Sequence, residues 1–459
     1  MTSPPHNKSF PPRRLLWSVG VCLAFCGVAA AGESSWRPEL VDTTEIHGRT
    51  VLRYEHDCPA EWGYAEPRRD YFYVVLPKNP HDAPPLLVML HSAGGSGEKE
   101  LAANVERVVA AGPEFAGLAP NAAPSGQADW WWGAHAIKKH PKKYRTALTP
   151  AENRVLATID WTARNQRADR NRIYLHGISM GGSGTLGLGL CRGDRFAAIC
   201  AKVPAGAEHA TWRMELPRPP SKDASPEEKQ KYLRQASRAG LPDAPPLLTF
   251  SSQLDKWSKG QEAFLRGLHD GRHAVVFAWG PWGHANVYHR YHPAAYEFPW
   301  LSIRRDEAFP VFTNASSDDH YPGHLSIEPD QAGQVNALFR WKTLEDTPAR
   351  FAIELRLVRP DELNCPVEMP EHSTVDVTPR RLQQFRVDAN GEYAWELRRQ
   401  GKVVASGTLR ADAAGLLTVP RVTITRVPAV LVVREPVVES VDSDAISPSR
   451  IRPRRRTWQ

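Results

Sequence analysis

Asp169-Arg170-Asn171-Arg172-Ile173-Tyr174-Leu175-His176-Gly177-Ile178-Ser179-Met180-Gly181-Gly182-Ser183-Gly184 is the stretch on which the fold turns. The apolar run Ile173–His176 ends in a serine with a glycine two residues away on each side. The chain then passes into a helix-compatible run, Thr185–Leu190. A turn this sharp leaves no room for side chains at its flanks, which suits Gly177 and Gly181. It lifts the Ser179 hydroxyl above a sheet and sets a helix N-terminus beneath any negative charge that develops there. Gly-x-Ser-x-Gly alone recurs by chance; between a strand and a helix it marks an exposed nucleophile.

Working outward, short apolar runs alternate with longer mixed segments from about residue 50. This rhythm predicts strands at Val51–Glu55, Tyr71–Leu76, Leu86–Leu90, Phe115–Ala119, Ile173–His176, Ala198–Val203, Leu247–Phe250 and Ala274–Ala278. Strands alternating with helices imply an α/β fold, a mostly parallel sheet with helices on both faces. Leu86-Leu87-Val88-Met89-Leu90 is apolar throughout, as expected of a strand covered on both sides. Thr149-Pro150-Ala151-Glu152 reads as a helix start, with proline at the first helical position, and the helix runs toward Asn165.

The chain has 459 residues, enough for two domains, and the pattern changes after about residue 305. Phe351–Val358, Tyr393–Leu397, Val403–Leu409 and Leu416–Thr425 alternate apolar and polar residues, separated by the hairpin signals Asn390-Gly391, Gln400-Gly401 and Ala414-Gly415. The expected organisation is an α/β domain over 45–304, a small C-terminal β-sandwich over 330–437 and a basic, disordered tail over 438–459. Within the first domain, 204–245 is too long for a simple connection. It carries Pro217, Pro219, Pro220 and a charged helical stretch from Ser225 to Arg238. A lid over the site and a solvated surface excursion both fit it.

A serine hydroxyl is a weak nucleophile until a base takes its proton and a third group orients that base. Leu247–Phe250 leads into Ser251-Ser252-Gln253-Leu254-Asp255, which puts Asp255 in a loop at the strand's far end. Ala274–Ala278 leads into Trp279-Gly280-Pro281-Trp282-Gly283-His284, which puts His284 in the next loop, behind a glycine. His289 and His292 compete with His284 but lie farther along, in a Tyr-rich segment. Asp270 competes with Asp255 but precedes the last strand, at its wrong end. Acyl transfer also needs two backbone N–H donors for the oxyanion. Met180 follows the nucleophile and supplies one; Ala93, in His91-Ser92-Ala93-Gly94-Gly95 after strand Leu86–Leu90, supplies the other.

With these residues assembled, the region of about 45–300 resembles the secreted esterases related to polyhydroxybutyrate depolymerases and to feruloyl and acetyl-xylan esterases. It is also similar to the catalytic domain of prolyl-oligopeptidase-type serine peptidases. The resemblance rests on HSAGG at 91–95, HGISMGG at 176–182, Asp255 and His284. It implies an α/β-hydrolase fold, a Ser179–Asp255–His284 triad and a carboxylic ester as substrate, polysaccharide-linked or of polyester type, with no cofactor. The oxyanion loop of that group ordinarily has His-Gly where this chain has His91-Ser92. A peptidase for short peptides is the alternative within enzymes. A carbohydrate-binding surface protein on the same fold is the alternative outside them.

Three adjacent indoles, Trp130-Trp131-Trp132, cannot all face one core, so at least one is expected at solvent or substrate. Trp131, Trp132 and Trp282 are the candidate substrate contacts, and Trp257, Trp279 and Trp282 flank the proposed acid and base. Ser317-Asp318-Asp319-His320 has ligand-type residues but no supporting partner nearby, so no metal is expected.

The net charge of +7 sits at the ends: residues 1–31 and 445–459 carry +8 and no acid, which leaves the body at −1. A nearly neutral body offers no broad basic face to a phosphate backbone, so nucleic acid is not an expected partner. Arg13-Arg14 followed by the uncharged run Leu15–Ala31 and the small residues Ala29-Ala30-Ala31 reads as a signal peptide, residues 1–31, against the alternative of a membrane anchor. The expected mature chain is secreted or periplasmic, with no membrane span. It would keep Cys58, Cys191, Cys200 and Cys365, either disulfide-paired in one of three connectivities or free.

Overall fold

Continuous apolar runs flanked by turn residues become the central strands of a sheet. A computed structural model describes residues 36–79, 82–122, 130–205, 207–216, 220–221, 223–236, 244–281, 283–284, 292–322, 332–365 and 368–436. The signal sequence expected over 1–31 and the tail expected over 438–459 lie outside these residues. In the first part of the chain the strands are β1 Glu39–Ile46, β2 Arg49–Asp57, β3 Arg69–Val75, β4 Leu86–Leu90, β5 Ala116–Pro120, β6 Ile173–Ile178, β7 Ala198–Lys202, β8 Leu247–Ser252 and β9 Val275–Gly280. The helices between and after them are α1 Leu101–Ala111, α2 Ala134–Lys139, α3 Pro150–Asn165, α4 Met180–Gly184, α5 Ala207–Arg213, α6 Pro226–Ala236, α7 Gln261–Asp270 and α8 Pro293–Tyr296.

These strands form one sheet in the order β1-β2-β3-β5-β4-β6-β7-β8-β9, which β11 (Gly333–Val335) extends at the β9 edge. The block from β5 to β9 is parallel, while β1, β2, β3 and β11 run antiparallel to their neighbours. All five residues of β4 are buried, as its uninterrupted apolar sequence requires. In a parallel sheet the loops after the strands gather at one end, and Ser92, Ser179, Asp255 and His284 all lie on such loops.

Helix α3 begins where its sequence says. The Thr149 hydroxyl accepts the Glu152 N–H at 3.3 Å, and the Glu152 carboxylate accepts the Thr149 N–H at 3.0 Å. Glu152, wholly buried, also pairs with Arg213 of α5. That pair bolts α5, the first part of 204–245, to the sheet-packing helix. The charged stretch after Ser225 forms α6.

Beyond residue 308 the strands are β10 Phe309–Thr313, β11, β12 Phe339–Asp346, β13 Arg350–Leu357, β14 His372–Arg380, β15 Glu392–Arg399, β16 Lys402–Arg410, β17 Val419–Thr425 and β18 Ala429–Arg434. They make a three-stranded sheet, β10-β14-β17, and a five-stranded sheet, β12-β13-β18-β15-β16. The inward residues of both, among them Phe339, Phe351, Ile353, Val375, Val377, Val422, Ile424 and Leu431, form a β-sandwich core. That core is continuous with the residues beneath the large sheet, and β11 leaves the sandwich to pair with β9. Cys58, Cys191, Cys200 and Cys365 are free thiols, and burial pushes the first three up to about 11.

Candidate active site

Ser179 sits between β6 and α4 with φ 58° and ψ −117°, a conformation that L-residues rarely adopt. Such strain, on the order of 1–3 kcal/mol, persists only where the surroundings enforce it. Here the Ser179 N–H donates to the Lys202 carbonyl of β7 at 2.9 Å, and the Ser179 carbonyl accepts the Ser183 N–H at 2.9 Å and its hydroxyl at 3.2 Å. A Cβ on Gly177 would collide with the Gly181 backbone, and one on Gly181 with the Leu90 carbonyl of β4. The two flanking glycines are what let strand and helix cross at this distance.

The loops after β8 and β9 converge on that serine. Asp255 is buried, and its Oδ1 accepts the Trp257 N–H at 3.0 Å, which fixes the carboxylate. Its Oδ2 lies 2.6 Å from His284 Nδ1, and His284 Nε2 lies 2.9 Å from Ser179 Oγ. An acceptor-only carboxylate on Nδ1 requires Nδ1 to hold the proton, so Nε2 faces Ser179 with a free lone pair. The His284 side chain is 39% exposed while that of Asp255 is 3% exposed. The imidazole therefore meets solvent and the group that orients it does not.

The turn at residues 92–95 is stapled in place. Ser92 N–H donates to Glu100 Oε1 at 2.9 Å, Ser92 Oγ–H to the Ile178 carbonyl at 3.3 Å, and Gly95 N–H to the Ser92 carbonyl at 3.1 Å. His91 Nε2 accepts the Ala122 N–H at 3.0 Å, so its Nδ1–H donates to the Ser92 carbonyl at 2.9 Å. Burial draws the His91 pKa down, which keeps the ring neutral in that tautomer. Neither the Ala93 nor the Met180 N–H donates to another group among the described residues. Both remain available as donors.

Behind this turn lies a polar network that the sequence did not signal. Arg154 of α3 pairs with Asp70 of β3 at 2.9 Å and donates to the Asn121 carbonyl. The Asn121 side chain links Asp70 Oδ1 (3.2 Å) to the Gly97 N–H (3.1 Å). Glu100 was equally silent in the sequence, since a carboxylate eight residues beyond the serine it holds follows no short-range motif.

Trp131 is a correction. Expected at the substrate surface, it is fully buried, its indole N–H donating to the His91 carbonyl at 3.0 Å and its ring standing edge-on to His91 at 4.8 Å. Trp130 and Trp131 both have positive φ, 51° and 65°, and this pair of left-handed residues sends one indole inward and its neighbour toward the rim. Trp130 is half-buried, 5.7 Å from the ring of Trp257, which is 41% exposed. Trp132 is half-buried and packs over Gly187. Trp282 and His289 lie outside the described residues. His292 is buried, with Nε2 on the Trp279 carbonyl, and Asp270 lies at the end of α7 beside His269. Neither takes part in the Ser179 chain. Asp318 Oδ1 and Asp319 Oδ2 accept the N–H groups of Asn336 and Gln334.

This strand order, with a strained serine between β6 and α4, defines an α/β-hydrolase fold carrying a C-terminal β-sandwich. No family model and no curated protein matches the chain. Among solved structures it is similar to an S-formylglutathione hydrolase from Agrobacterium tumefaciens, with 15% identity, 54% of this chain and 92% of that one covered, and a TM-score of 0.38. It is also similar to an S-formylglutathione hydrolase from Staphylococcus aureus (20% identity, 56% and 99% covered, TM-score 0.36). A third is an acetyl xylan esterase from Paenibacillus sp. R4 (13% identity, 59% and 89% covered, TM-score 0.37).

Proposed function

We propose that this protein is a serine hydrolase of carboxylic esters working through an acyl-enzyme. The observation that carries the reading is the unbroken hydrogen-bonded chain from Asp255 through His284 to Ser179 Oγ. Ser179 Oγ attacks the ester carbonyl while His284 Nε2 takes its proton. Asp255 holds the tautomer and stabilises the imidazolium that forms. The N–H groups of Met180 and Ala93 receive the oxyanion. His284 then returns the proton to the leaving alkoxide, and water, deprotonated by the same imidazole, releases the acid.

The substrate we propose is a bulky ester, polysaccharide-linked or polymeric. The exposed imidazole and the Trp130–Trp257 rim support an open, partly apolar site suited to a large group. Export by residues 1–31 belongs to the same proposal. Among the described residues no helix is long and apolar enough to cross a membrane. A panel of p-nitrophenyl esters set against aminoacyl-nitroanilides tests the reaction class. Turnover of the esters with little turnover of the anilides is expected; the reverse makes the protein a peptidase.

A further inference from the structure

We propose that the Ser92 hydroxyl is a positioning group that holds the two oxyanion donors at their working distance; this rests on Ala93 and Met180 being those donors. Both N–H groups must reach one oxygen atom, so two pieces of backbone far apart in the sequence have to be kept in register. Ser92 Oγ–H donates to the Ile178 carbonyl at 3.3 Å, across 86 positions of chain. Ser92 immediately precedes Ala93, and Ile178 stands two residues before Met180. Among the described residues this is the only hydrogen bond between the turn at 92–95 and the segment 177–181. Without it the turn stays tied to Glu100, His91 and Lys99, but not to the nucleophile.

Each end of that bond is fixed. Residues 92–95 form a β-turn closed by the Gly95 N–H on the Ser92 carbonyl at 3.1 Å, and Gly94 has φ 75°, as the third position of a type II turn requires. Ala93 is the second residue of the turn and is exposed, so the turn sets the direction of its N–H. Ser92 is held in addition by its own N–H on Glu100 and by the His91 ring on its carbonyl, both at 2.9 Å. On the other side, the Ile178–Ser179 peptide is gripped at both polar atoms, its carbonyl by Ser92 and its N–H by the Lys202 carbonyl at 2.9 Å. The next peptide carries the Met180 N–H and is anchored through the Ser179 carbonyl, which accepts the Ser183 N–H and hydroxyl. A rigid turn and a rigid elbow thus meet at one hydroxyl. The negative charge that needs both donors develops only in the transition state, so a change in their spacing acts on the chemical step rather than on substrate affinity.

The test uses the full chain, a small soluble ester and an alkyl trifluoromethyl ketone. Ser179 Oγ adds to the ketone carbon, the Oγ proton passes to His284, and the ketone oxygen becomes the oxyanion. The corresponding trifluoromethyl carbinol fills the same space but has no carbonyl to attack. Melting temperature, kcat, KM, the pH profile of kcat and both inhibition constants are measured for Ser92→Ala, which removes the hydroxyl, and Ser92→Thr, which keeps one. A misplacement of about 1 Å costs up to a hundredfold, so Ser92→Ala is expected to lose about tenfold in kcat with KM within about twofold. Affinity for the ketone should fall by a similar factor, while that for the carbinol stays within about twofold. The acid limb of the pH profile, which reports the base, should not move. Ser92→Thr should recover most of kcat and of ketone affinity. A folded Ser92→Ala protein with wild-type kcat and ketone affinity overturns the proposal. So does one whose ketone and carbinol affinities fall together, one whose acid limb shifts, or a folded Ser92→Thr protein as slow as Ser92→Ala. A wild-type protein that neither turns over the ester nor binds the ketone would instead sink the hydrolase reading itself, a different result from these.

Discussion

His284 Nε2 lies 2.9 Å from Ser179 Oγ although 105 positions separate the two residues in the chain. Separate loops, each following a parallel strand, bring them together, and Asp255 arrives on a third. Groups that act as one unit fail as one unit. Ser179→Ala and His284→Ala should each lose at least about three orders of magnitude in kcat, and the double variant should be hardly worse than either. Asp255→Asn should also be severely impaired, because an amide at that position favours the wrong imidazole tautomer. Steady-state kinetics on one p-nitrophenyl ester decides all four.

The neighbouring tryptophans should separate cleanly. Trp257→Ala and Trp130→Ala are expected to raise KM for esters with a ring-bearing acyl or alcohol part by about tenfold, the worth of one aromatic contact, while leaving p-nitrophenyl acetate nearly unchanged. Trp131→Ala should act on stability instead, costing about 3–5 kcal/mol through the cavity it leaves. Comparable KM effects from all three would show that burial does not divide their roles.

Asp70 offers a pH-dependent test of the network behind the turn at residues 92–95. Burial acts to raise its pKa, but Arg154 and Arg68, each at 2.9 Å, override burial and hold it below the ordinary value. A carboxyl whose pKa is lower in the folded state stabilises the fold above its unfolded pKa, and that contribution fades as pH falls through the lowered value. Breaking a buried pair costs about 3–5 kcal/mol, so Asp70→Asn should be destabilised by that order at pH 7. The gap to wild type should narrow below about pH 4 in urea melts. A gap that does not change with pH would count against the ion pair.

Much of the site was legible because its determinants are local. Gly177 and Gly181 mark the elbow, and Asp255 and His284 each follow a recognisable apolar strand, so position along the chain predicts position in space. Thr149 to Asn165 was legible for the same reason, its cap lying within one helical turn. The fate of Trp131 was not: three consecutive indoles carry no periodicity, and only the two left-handed residues at 130 and 131 decide which turns inward. Strand β1 leaves no signal in the sequence because ELVDTTEI is an exposed edge strand without an apolar face, Leu40 being 53% exposed. Strand β11 has three residues, too few to show an alternation, and its place beside β9 is set by partners such as Asn336, whose side chain donates to the carbonyls of Val275 and Phe312.

Asp318 carries the opposite electrostatic sign. Burial pushes its pKa up to about 7, against the help of the Asn336 N–H. The unfolded chain releases this proton near pH 4 and the folded chain near 7, so its contribution to stability falls across that interval and is flat above it. Asp318→Asn keeps an acceptor for Asn336 and removes the penalty. Its melting temperature should exceed wild type by roughly 3 °C or more at pH 8 and match it near pH 4. Equal melting temperatures at both pH values would refute the assignment of a costly, desolvated charge.

The central claim is that Ser179 is the nucleophile of an acyl-transfer enzyme. Treatment of the full chain with a fluorophosphonate, followed by peptide mass spectrometry, reads this most directly. One phosphonyl adduct should appear on the peptide containing Gly177-Ile178-Ser179-Met180-Gly181, and none on a folded Ser179→Ala protein. An adduct on another residue, or labelling that survives in Ser179→Ala, would contradict it.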